Sequence, residues 1–264
     1  MNILDTIVAQ KRKEVEQRKL ATPLSVLEQQ PHFIRPVYSL TGFLADTNRT
    51  GIIAEYKRKS PSKGIINATA TVEEVTKAYA QHAAGISVLT DTDFFGGSTA
   101  DLEKARFNNV PILRKDFMID EYQVYEAKAM GADVILLIAA CLTPQQVNEL
   151  GACAKGLGME VLLEIHNGEE LEHISDMVDM VGVNNRNLKT FEVDIQTSLQ
   201  LIEHIPPGKP AIAESGISNV DTIVTLRNAG FSGFLIGENF MKEPNPSIAF
   251  TDFVHQLKAK QHAN

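Results

Sequence analysis

Residues 131–144, GADVILLIAACLTP, contain the pattern that decides the fold of this chain. The apolar run at 133–139 does not alternate with polar residues, which is typical of a strand buried on both faces of a parallel sheet. Gly131 stands where a helix commonly ends, and Thr143-Pro144 predicts an N-cap followed by proline at the first helical position. The stretch therefore predicts a buried strand between two helices.

The same unit repeats along the chain from residue 51. Short runs rich in Val, Ile and Leu predict eight strands, at 51–56, 86–90, 110–114, 133–139, 159–165, 180–184, 210–214 and 233–237. Helices are predicted after them, at 71–83, 99–107, 120–130, 144–156, 169–176, 195–204, 219–229 and 246–259. Strict alternation implies a parallel sheet with helices outside it, and eight units favour an α/β fold of the (β/α)8 TIM-barrel type.

The competing architecture is an open, doubly wound sheet, which usually has fewer strands and a glycine-rich first turn. The first turn here, KRKSPSKG at 57–64, matches neither a dinucleotide-binding nor a P-loop pattern. Before the first strand, apolar residues at near-helical spacing within 2–19 predict an amphipathic helix, and 20–50 read as irregular with two short helical pieces. We expect one domain over 1–264, with an N-terminal helical extension at 1–50 and the barrel at 51–264.

Composition excludes several classes of protein. The chain has 264 residues, 44% of them hydrophobic and 22% charged, and its net charge of −8 argues against nucleic-acid binding. Cys141 and Cys153 lack metal-site spacing, which favours reduced thiols in a cytoplasmic protein. The charged N-terminus does not resemble a signal peptide, and no apolar run is long enough to predict a membrane span.

Polar residues end seven of the eight predicted strands, at the edge where barrel enzymes place their active sites. Glu55 and Lys57 are two residues apart, so both side chains should lie on one face of the first strand. We expect them to converge with polar residues from four other strand ends, Lys115, Glu164, Asn184 and Glu214. Any one such residue could merely cap the barrel, but the convergent set favours an active site.

Two further features indicate the kind of ligand. The loops after the seventh and eighth strands begin ESGIS (214–218) and IGENF (236–240), and their Gly216 and Gly237 allow backbone N–H groups to approach a phosphate closely. Phe95 and Phe117 should flank the mouth beside Leu136, as walls for a planar aryl group. Ordinary loop packing is the alternative explanation for the two aromatic residues.

These motifs together resemble the indole-3-glycerol-phosphate synthase family of tryptophan biosynthesis. The resemblance rests on nine stretches that run in family order from residue 3 to residue 241, namely ILDTIVAQKRKEVEQRK, IIAEYKRKSPSKG, SVLTDTDFFGGS, PILRKDFMID, GADVILLIAACL, LLEIH, VGVNNRNLKTFEVD, AESGIS and FLIGENFM. The combination of EYKRKSPSKG, RKDF and NNRNL is the most specific part, since other phosphate-binding barrels share only the last two loops.

The resemblance implies ring closure, decarboxylation and dehydration of 1-(2-carboxyphenylamino)-1-deoxyribulose 5-phosphate, without cofactor or metal. The residues it implies for catalysis are Lys115, Glu164, Lys57, Glu55, Asn184 and Ser215. The residues it implies for substrate binding are Ser60, Phe95, Phe117, Leu136, Arg186, Glu214, Gly216, Leu235, Gly237 and Glu238, the last through its backbone N–H. Asn239 departs from the Ser or Ala of many relatives, which bears only on the fine geometry of the phosphate loop.

Each implied role fits the chemistry of its residue. A ketone under attack by an aryl carbon needs a proton donor, which suits Lys115, and the departing carboxylate needs a cation, which suits Lys57. Glu164 suits the base of the final dehydration, with Lys57 or Lys115 as its acid. Glu55 would orient the lysines, and Asn184 the substrate hydroxyls.

The expected partner is a small anionic molecule rather than nucleic acid or a membrane, and the expected state is a monomer, with a homodimer as the alternative. Arg58 and Lys59 are expected to be solvent-side or steering charges, and the N-terminal helix to cover part of the mouth.

Two alternatives remain for the function. Phosphoribosylanthranilate isomerase is a phosphate-binding barrel that typically has a cysteine at the end of its first strand, where this chain has Glu55-Tyr56-Lys57. A non-catalytic barrel that binds a phosphate ligand or RNA is expected to have lost one of the lysines or Glu164, and this chain keeps them all.

Overall fold

A computed structural model describes residues 3–262 and contains the eight predicted barrel strands. The strands are β1 Ile52–Tyr56, β2 Gly85–Leu89, β3 Ile112–Lys115, β4 Val134–Ile138, β5 Glu160–Ile165, β6 Met180–Asn184, β7 Ala211–Glu214 and β8 Gly233–Ile236. All neighbours pair in parallel, and β1 pairs with both β2 and β8, so the sheet is closed. The predicted (β/α)8 barrel is confirmed, and each strand boundary lies within two residues of its prediction.

The period of two along β1 separates two layers of the core. Ile52, Ala54 and Tyr56 pack against the surrounding helices. Ile53 belongs to the cluster that fills the barrel, together with Leu113, Leu162 and Ile212 from other strands. Alternate residues of a strand point to opposite faces, so Glu55 shares the inner face with Ile53. The inward orientation predicted for Glu55 is therefore confirmed.

Helices cover the outside of the barrel and extend the chain at its N-terminus. They are α1 Ile3–Ala21, α2 Leu24–Leu27, α3 Leu40–Ala45, α4 Val72–Tyr79, α5 Thr99–Ala105, α6 Glu121–Met130, α7 Pro144–Gly156, α8 Gln196–Leu201, α9 Val220–Asn228, α10 Glu238–Met241 and α11 Pro246–His262. The boundary signals are where the sequence placed them: Thr143 forms a capping box with Gln146, and Gly131 ends α6 in the left-handed conformation with φ 92°.

The structure differs from the sequence prediction at two helices and one loop. The helix predicted at 169–176 is a 3-10 helix, Gly168–His173, and the one predicted at 195–204 ends as a 3-10 turn, Ile202–His204. A short antiparallel hairpin, Lys59–Ser60 with Gly64–Ile65, forms in the loop after β1. The amphipathic helix predicted at 2–19 is α1, except that residue 2 lies outside the described residues.

The N-terminal extension is attached at both ends of the barrel. At the C-terminal ends of the strands, Lys11 of α1 binds Asp91 after β2 and Asp116 after β3. At the opposite end, Glu160 accepts hydrogen bonds from the backbone N–H groups of Leu40 and Thr41. The extension thereby spans the barrel and holds α1 across its mouth. None of the helices within residues 3–262 combines the length and apolar character needed to cross a bilayer.

Candidate active site

A cavity of about 630 Å³ lies at the C-terminal ends of the barrel strands, beneath α1. All of the residues that the sequence proposed for catalysis or substrate binding line this cavity, so the structure brings the whole set together. The convergence follows from the parallel barrel, because the carboxyl ends of all eight strands meet at one mouth.

Lys115, the last residue of β3, lies at the centre of the charged groups in the cavity. Its Nζ is 2.7 Å from Glu164 Oε2 and 3.0 Å from Glu214 Oε2. Burial on its own would lower the pKa of Lys115, but the charges of Glu164, Glu214 and Glu55 outweigh burial and raise it. The side chain is therefore an ammonium group, and it keeps a small exposed area towards the cavity.

The two carboxylates that hold Lys115 have different surroundings. Glu164 also accepts a hydrogen bond of 3.1 Å from Asn184 Nδ2, and Lys115 and the nearby His166 keep its pKa well below the usual value against the effect of burial. Glu214 Oε1 is buried with no hydrogen-bond partner among the described residues. Burial and the charge of Glu164 together outweigh Lys115 and raise the pKa of Glu214 to about 8.

The strand-1 pair forms a second charged group beside this one. Lys57 Nζ is 2.9 Å from Glu55 Oε1, and Ser87 donates to Glu55 Oε2 at 3.4 Å. Gly237 allows β8 to pass this close, because a Cβ at position 237 would lie 2.7 Å from Glu55 Oε1. The site thus presents two ammonium groups, each held by glutamate carboxylates.

The loops after β7 and β8 form the anion-binding side of the cavity. Ser215 and Gly216 both adopt positive φ, 66° and 76°, and Asn185 Nδ2 holds the Ser215 carbonyl at 3.1 Å. A serine in this conformation is strained unless its surroundings fix it. Ser60 Oγ, on the hairpin opposite, is buried and has no hydrogen-bond partner in the described chain, so its bonding capacity remains for a ligand.

The opposite wall of the cavity is apolar. The rings of Phe95 and Phe117 lie 5.9 Å apart between centroids, tilted by 39°. Both pack in one cluster with Leu136 and Leu235, and this cluster includes Ile7 from α1. An aromatic and aliphatic wall facing two ammonium groups suits a planar aryl group that has an acidic substituent.

Sequence reasoning missed several residues that complete the cavity. Ile3, Leu4 and Ile7 line it from α1, and Leu188 lines it from the loop after β6. The expectation that the N-terminal helix covers part of the mouth is confirmed, but the sequence did not show which of its residues reach the cavity. The helix reaches the mouth because Lys11 binds Asp91 and Asp116, and contacts between residues so far apart in the chain leave no local signal.

Arg58 and Lys59, expected to be solvent-side or steering charges, keep part of their side chains exposed but are also bonded to the barrel. The Arg58 guanidinium forms a double ion pair with Asp101 at the start of α5 and lies over the Tyr56 ring, 4.9 Å from the centroid. Lys59 is half-buried, and its Nζ donates to the Asp93 carbonyl at 3.1 Å. Both residues therefore tie the loop after β1 to neighbouring parts of the barrel.

Comparison with known proteins gives a consistent result. A family model described as indole-3-glycerol phosphate synthase matches residues 4–253. An indole-3-glycerol phosphate synthase of Bacteroides thetaiotaomicron is 47% identical over 259 residues, covering 97% of this chain and 99% of the relative. One from Polynucleobacter asymbioticus is 42% identical over 266 residues, covering 95% of this chain and 98% of the relative.

Solved structures share the fold at much lower sequence identity. The tryptophan synthase A-subunit of Pyrococcus furiosus superposes with a TM-score of 0.61 at 16% identity, over 81% of this chain and all of that one. At this identity the likeness concerns the barrel alone.

Proposed function

The chain belongs to the indole-3-glycerol phosphate synthase family, and from this premise we propose how its cavity carries out the reaction. The activity is that of a carboxy-lyase in tryptophan biosynthesis. In it, 1-(2-carboxyphenylamino)-1-deoxyribulose 5-phosphate closes to indole-3-glycerol phosphate and loses CO₂ and water. Ring closure and dehydration each move protons, so the cavity must supply a proton donor and a base.

The observation that supports this assignment most strongly is the position of Lys115 between Glu164 and Glu214. A buried ammonium group with two carboxylates at 2.7 and 3.0 Å remains protonated and is held in one place. We assign Lys115 as the donor to the ketone oxygen when the aryl carbon attacks. Its small exposed area faces the cavity, which gives a substrate access to the proton.

Glu164 is the base that we assign to the final step. Lys115 and His166 keep its pKa well below the usual value in the resting protein, so it is ionised and ready to accept a proton. When Lys115 gives up its proton, the carboxylate loses its counter-charge and its affinity for a proton rises. Burial and the charge of Glu164 raise the pKa of Glu214 to about 8, so Glu214 takes up a proton more readily than Glu164 does. Glu164 is thus the ionised carboxylate that accepts a proton, whereas Glu214 is the one that is protonated more easily.

The remaining groups hold the substrate. Lys57, held in place by Glu55 at 2.9 Å, binds the carboxylate that leaves as CO₂. The aryl ring lies against the wall of Phe95, Phe117 and Leu136. Asn184 orients the sugar hydroxyls, as the family resemblance implies.

The phosphate lies between the hairpin and the loops after β7 and β8. The unpartnered Ser60 hydroxyl donates to it, and the glycines at 216 and 237 allow backbone N–H groups to approach closely. Arg186 lies on the same side of the cavity, with Nη2 3.8 Å from the Glu238 carboxylate, and adds a positive charge.

A fluorescence assay tests the function directly. The chain has no tryptophan, so indole-3-glycerol phosphate should appear as a rise in indole emission over a quiet protein background. We expect this rise, with one CO₂ released per indole formed, when purified protein meets the carboxyphenylamino-deoxyribulose phosphate. Absence of both signals from folded protein would refute the assignment.

We also propose that residues 1–264 act as one monomeric, cytoplasmic domain. The extension is bonded to both ends of the barrel, so the extension and the barrel form one unit. Cys141 and Cys153 are unpaired and half-buried, which suits a reducing compartment. Light scattering on a size-exclusion column tests the monomer, since a dimer would elute at twice the mass of 29.0 kDa.

A further inference from the structure

His166, which follows the last residue of β5, takes no part in the chemistry assigned above, yet it lies directly behind the base. Its side chain is only 7% exposed. Nε2 is 3.2 Å from Glu164 Oε1, close enough for an ion pair although without hydrogen-bond alignment, and Nδ1 is 3.3 Å from Glu170 Oε2. The imidazole therefore joins the carboxylate of the active cavity to a second carboxylate outside it.

The local fold holds this arrangement in place. Asn167 Oδ1 accepts hydrogen bonds from the backbone of Glu169 and Glu170, which starts the 3-10 helix Gly168–His173 and turns Glu170 back towards the strand. Glu170 Oε2 then accepts a 2.7 Å hydrogen bond from the His166 backbone N–H, and its Oε1 accepts one from Asn167 at 3.0 Å. Glu170 is thus fixed by three donors, and it fixes the ring.

The imidazole lies in the wall between two cavities. Glu164 lines the active cavity, whereas His166 and Glu170 line a second cavity of about 550 Å³ beside it. The rim of the second cavity includes the exposed residues Asn187 and Lys189, so it opens to solvent. His166 therefore lies between the base and a cavity that opens to solvent beside the active cavity.

We propose that His166 is a positioning residue for the reaction, which holds the Glu164 carboxylate in its charged form and in the orientation that faces Lys115. This proposal rests on the assignment of Glu164 as the base. With Oε1 held by His166 and Asn184, Glu164 can present only Oε2 to Lys115 and the substrate.

The charges around the ring support an imidazolium. Burial disfavours it, but Glu164 and Glu170 outweigh burial and raise the pKa of His166 to about 9. Cys141 lies near both glutamates, and burial together with their charges raises the pKa of its thiol to about 12, so it stays neutral. The other charged groups that face the second cavity are those of the loop after β6, Arg186, Lys189, Glu192 and Asp194.

The first test is His166→Gln, which keeps a hydrogen-bond donor but removes the charge, with the exposed His204→Gln as the matched control. We expect kcat to fall about tenfold in His166→Gln, as for other residues that orient a reacting group. KM should stay as in wild type because His166 does not touch the substrate. His204→Gln should match wild type in both constants.

The second test is the pH profile. A group with a raised pKa is charged below that pKa, so wild-type kcat should fall as pH rises through about 9. His166→Gln should lack this fall. Glu170→Gln should move it to lower pH, because the imidazolium loses one of its two carboxylates. NMR titration of the His166 ring needs no turnover, and the ring signal can be assigned with the His166→Gln variant. It should show a pKa of about 9 in wild type and a lower pKa in Glu170→Gln.

The outcomes separate this inference from the function itself. Wild-type protein without turnover would refute the assigned activity, while the NMR titration would still report on the ring. Active wild-type protein with unchanged kcat and an unchanged alkaline limb in His166→Gln would overturn the positioning role alone. If His166→Gln does not fold, Glu170→Gln serves as the test. The proposal is overturned if kcat in Glu170→Gln falls at the same alkaline pH as in wild type.

Discussion

Two lysines of this chain each lie between two buried carboxylates, at neighbouring places on the same barrel mouth. Lys11 on α1 binds Asp91 at 2.7 Å and Asp116 at 3.1 Å. Lys115 on β3 binds Glu164 at 2.7 Å and Glu214 at 3.0 Å. The ion pairs are alike in length, so the difference between the clusters must lie in what surrounds them.

The two aspartates of the Lys11 cluster are fully bonded within the protein. Asp91 Oδ1 accepts from the backbone of Phe94 and Phe95, and Asp116 Oδ2 accepts from Thr90 and Arg114. The other oxygen of each aspartate binds Lys11, whose side chain is 1% exposed. Lys11 also binds Glu14 at 2.9 Å, and Glu14 Oε1 has no partner in the described chain, but neither Lys11 nor Glu14 lines the active cavity.

The Lys115 cluster is incomplete. Its lysine is 16% exposed, towards the cavity, and Glu214 Oε1 has no partner in the described chain. The nearby Ser60 hydroxyl is likewise unpartnered. Buried polar groups without partners are costly, and they persist where a substrate supplies the missing contacts. Ion-pair geometry alone therefore does not separate a structural cluster from a reactive one, whereas unpartnered polar atoms that line the active cavity do.

The largest effect on activity is expected for Lys115→Met, which tests whether the Lys115 cluster is the reactive one. We expect kcat to fall by about 10²–10⁴-fold, the usual contribution of a general acid. The protein should stay folded at pH 6, because Glu214 binds a proton there and Glu164 keeps Asn184 and His166 as partners. The fluorescence assay measures the loss, and Lys104→Met, at an exposed site far from the cavity, is the control. Wild-type-like turnover in Lys115→Met would remove the role assigned to this lysine.

The reciprocal substitution is Lys11→Met. It leaves two buried aspartates without their shared cation, and breaking such a buried pair costs about 3–5 kcal/mol of unfolding free energy. Urea denaturation of both lysine variants at pH 6 measures the difference. If Lys115→Met proves the less stable of the two, the distinction between a structural and a reactive cluster is wrong.

Acid unfolding measures how much Asp116 of the Lys11 cluster contributes to stability. Lys11 and Arg114 outweigh burial and lower the pKa of Asp116 to about 2. The unfolded chain then binds more protons than the folded one between pH 4 and pH 2, so stability must fall as pH falls through that window. We expect Asp116 to account for about 2–3 kcal/mol of this loss. Urea titrations from pH 5 to pH 2 should show a shallower slope in Asp116→Asn; an unchanged slope would contradict the assignment.

The smallest effect is expected for the unpartnered hydroxyl. Ser60→Ala removes no hydrogen bond from the protein, so its unfolding free energy should stay within about 0.5 kcal/mol of wild type. KM should rise about fivefold, since a hydrogen bond to phosphate is worth about 1 kcal/mol net. Thr90→Val is the matched variant in the Lys11 cluster, where the hydroxyl donates to Asp116 at 2.6 Å. In Thr90→Val, the unfolding free energy should fall and KM should stay as in wild type. Loss of stability without a change of KM in Ser60→Ala, or a raised KM without loss of stability in Thr90→Val, would refute the comparison.

Much of the fold and the site was predictable because both follow from short-range periodicity. The runs of Val, Ile and Leu locate the strands, and parallel alternation sends every strand end to one mouth. The period of two then places Glu55 and Lys57 on the face that points inward. The positions of Lys115, Glu164 and Glu214 at the cavity follow from the same argument.

The rest depends on contacts that no local pattern encodes. Lys11 meets Asp91 from 80 residues away, and Arg58 meets Asp101 from 43 residues away. The sequence predicted neither pairing, and it assigned Arg58 only a solvent-side or steering role. The 3-10 helix at Gly168–His173 was also missed, because it forms around the Asn167 side chain and Glu170 rather than from helical periodicity.

The attachment of α1 also sets an order of events during synthesis of the chain. The helix leaves the ribosome before any strand of the barrel, but its bond to Asp116 cannot form until a residue 105 positions later has been made. At a translation rate of about 5–20 residues per second, that interval is about 5–20 seconds. The helix must therefore wait for three barrel strands before both of its ion pairs can form, and the reactive mouth is completed by a segment that was made before the barrel itself.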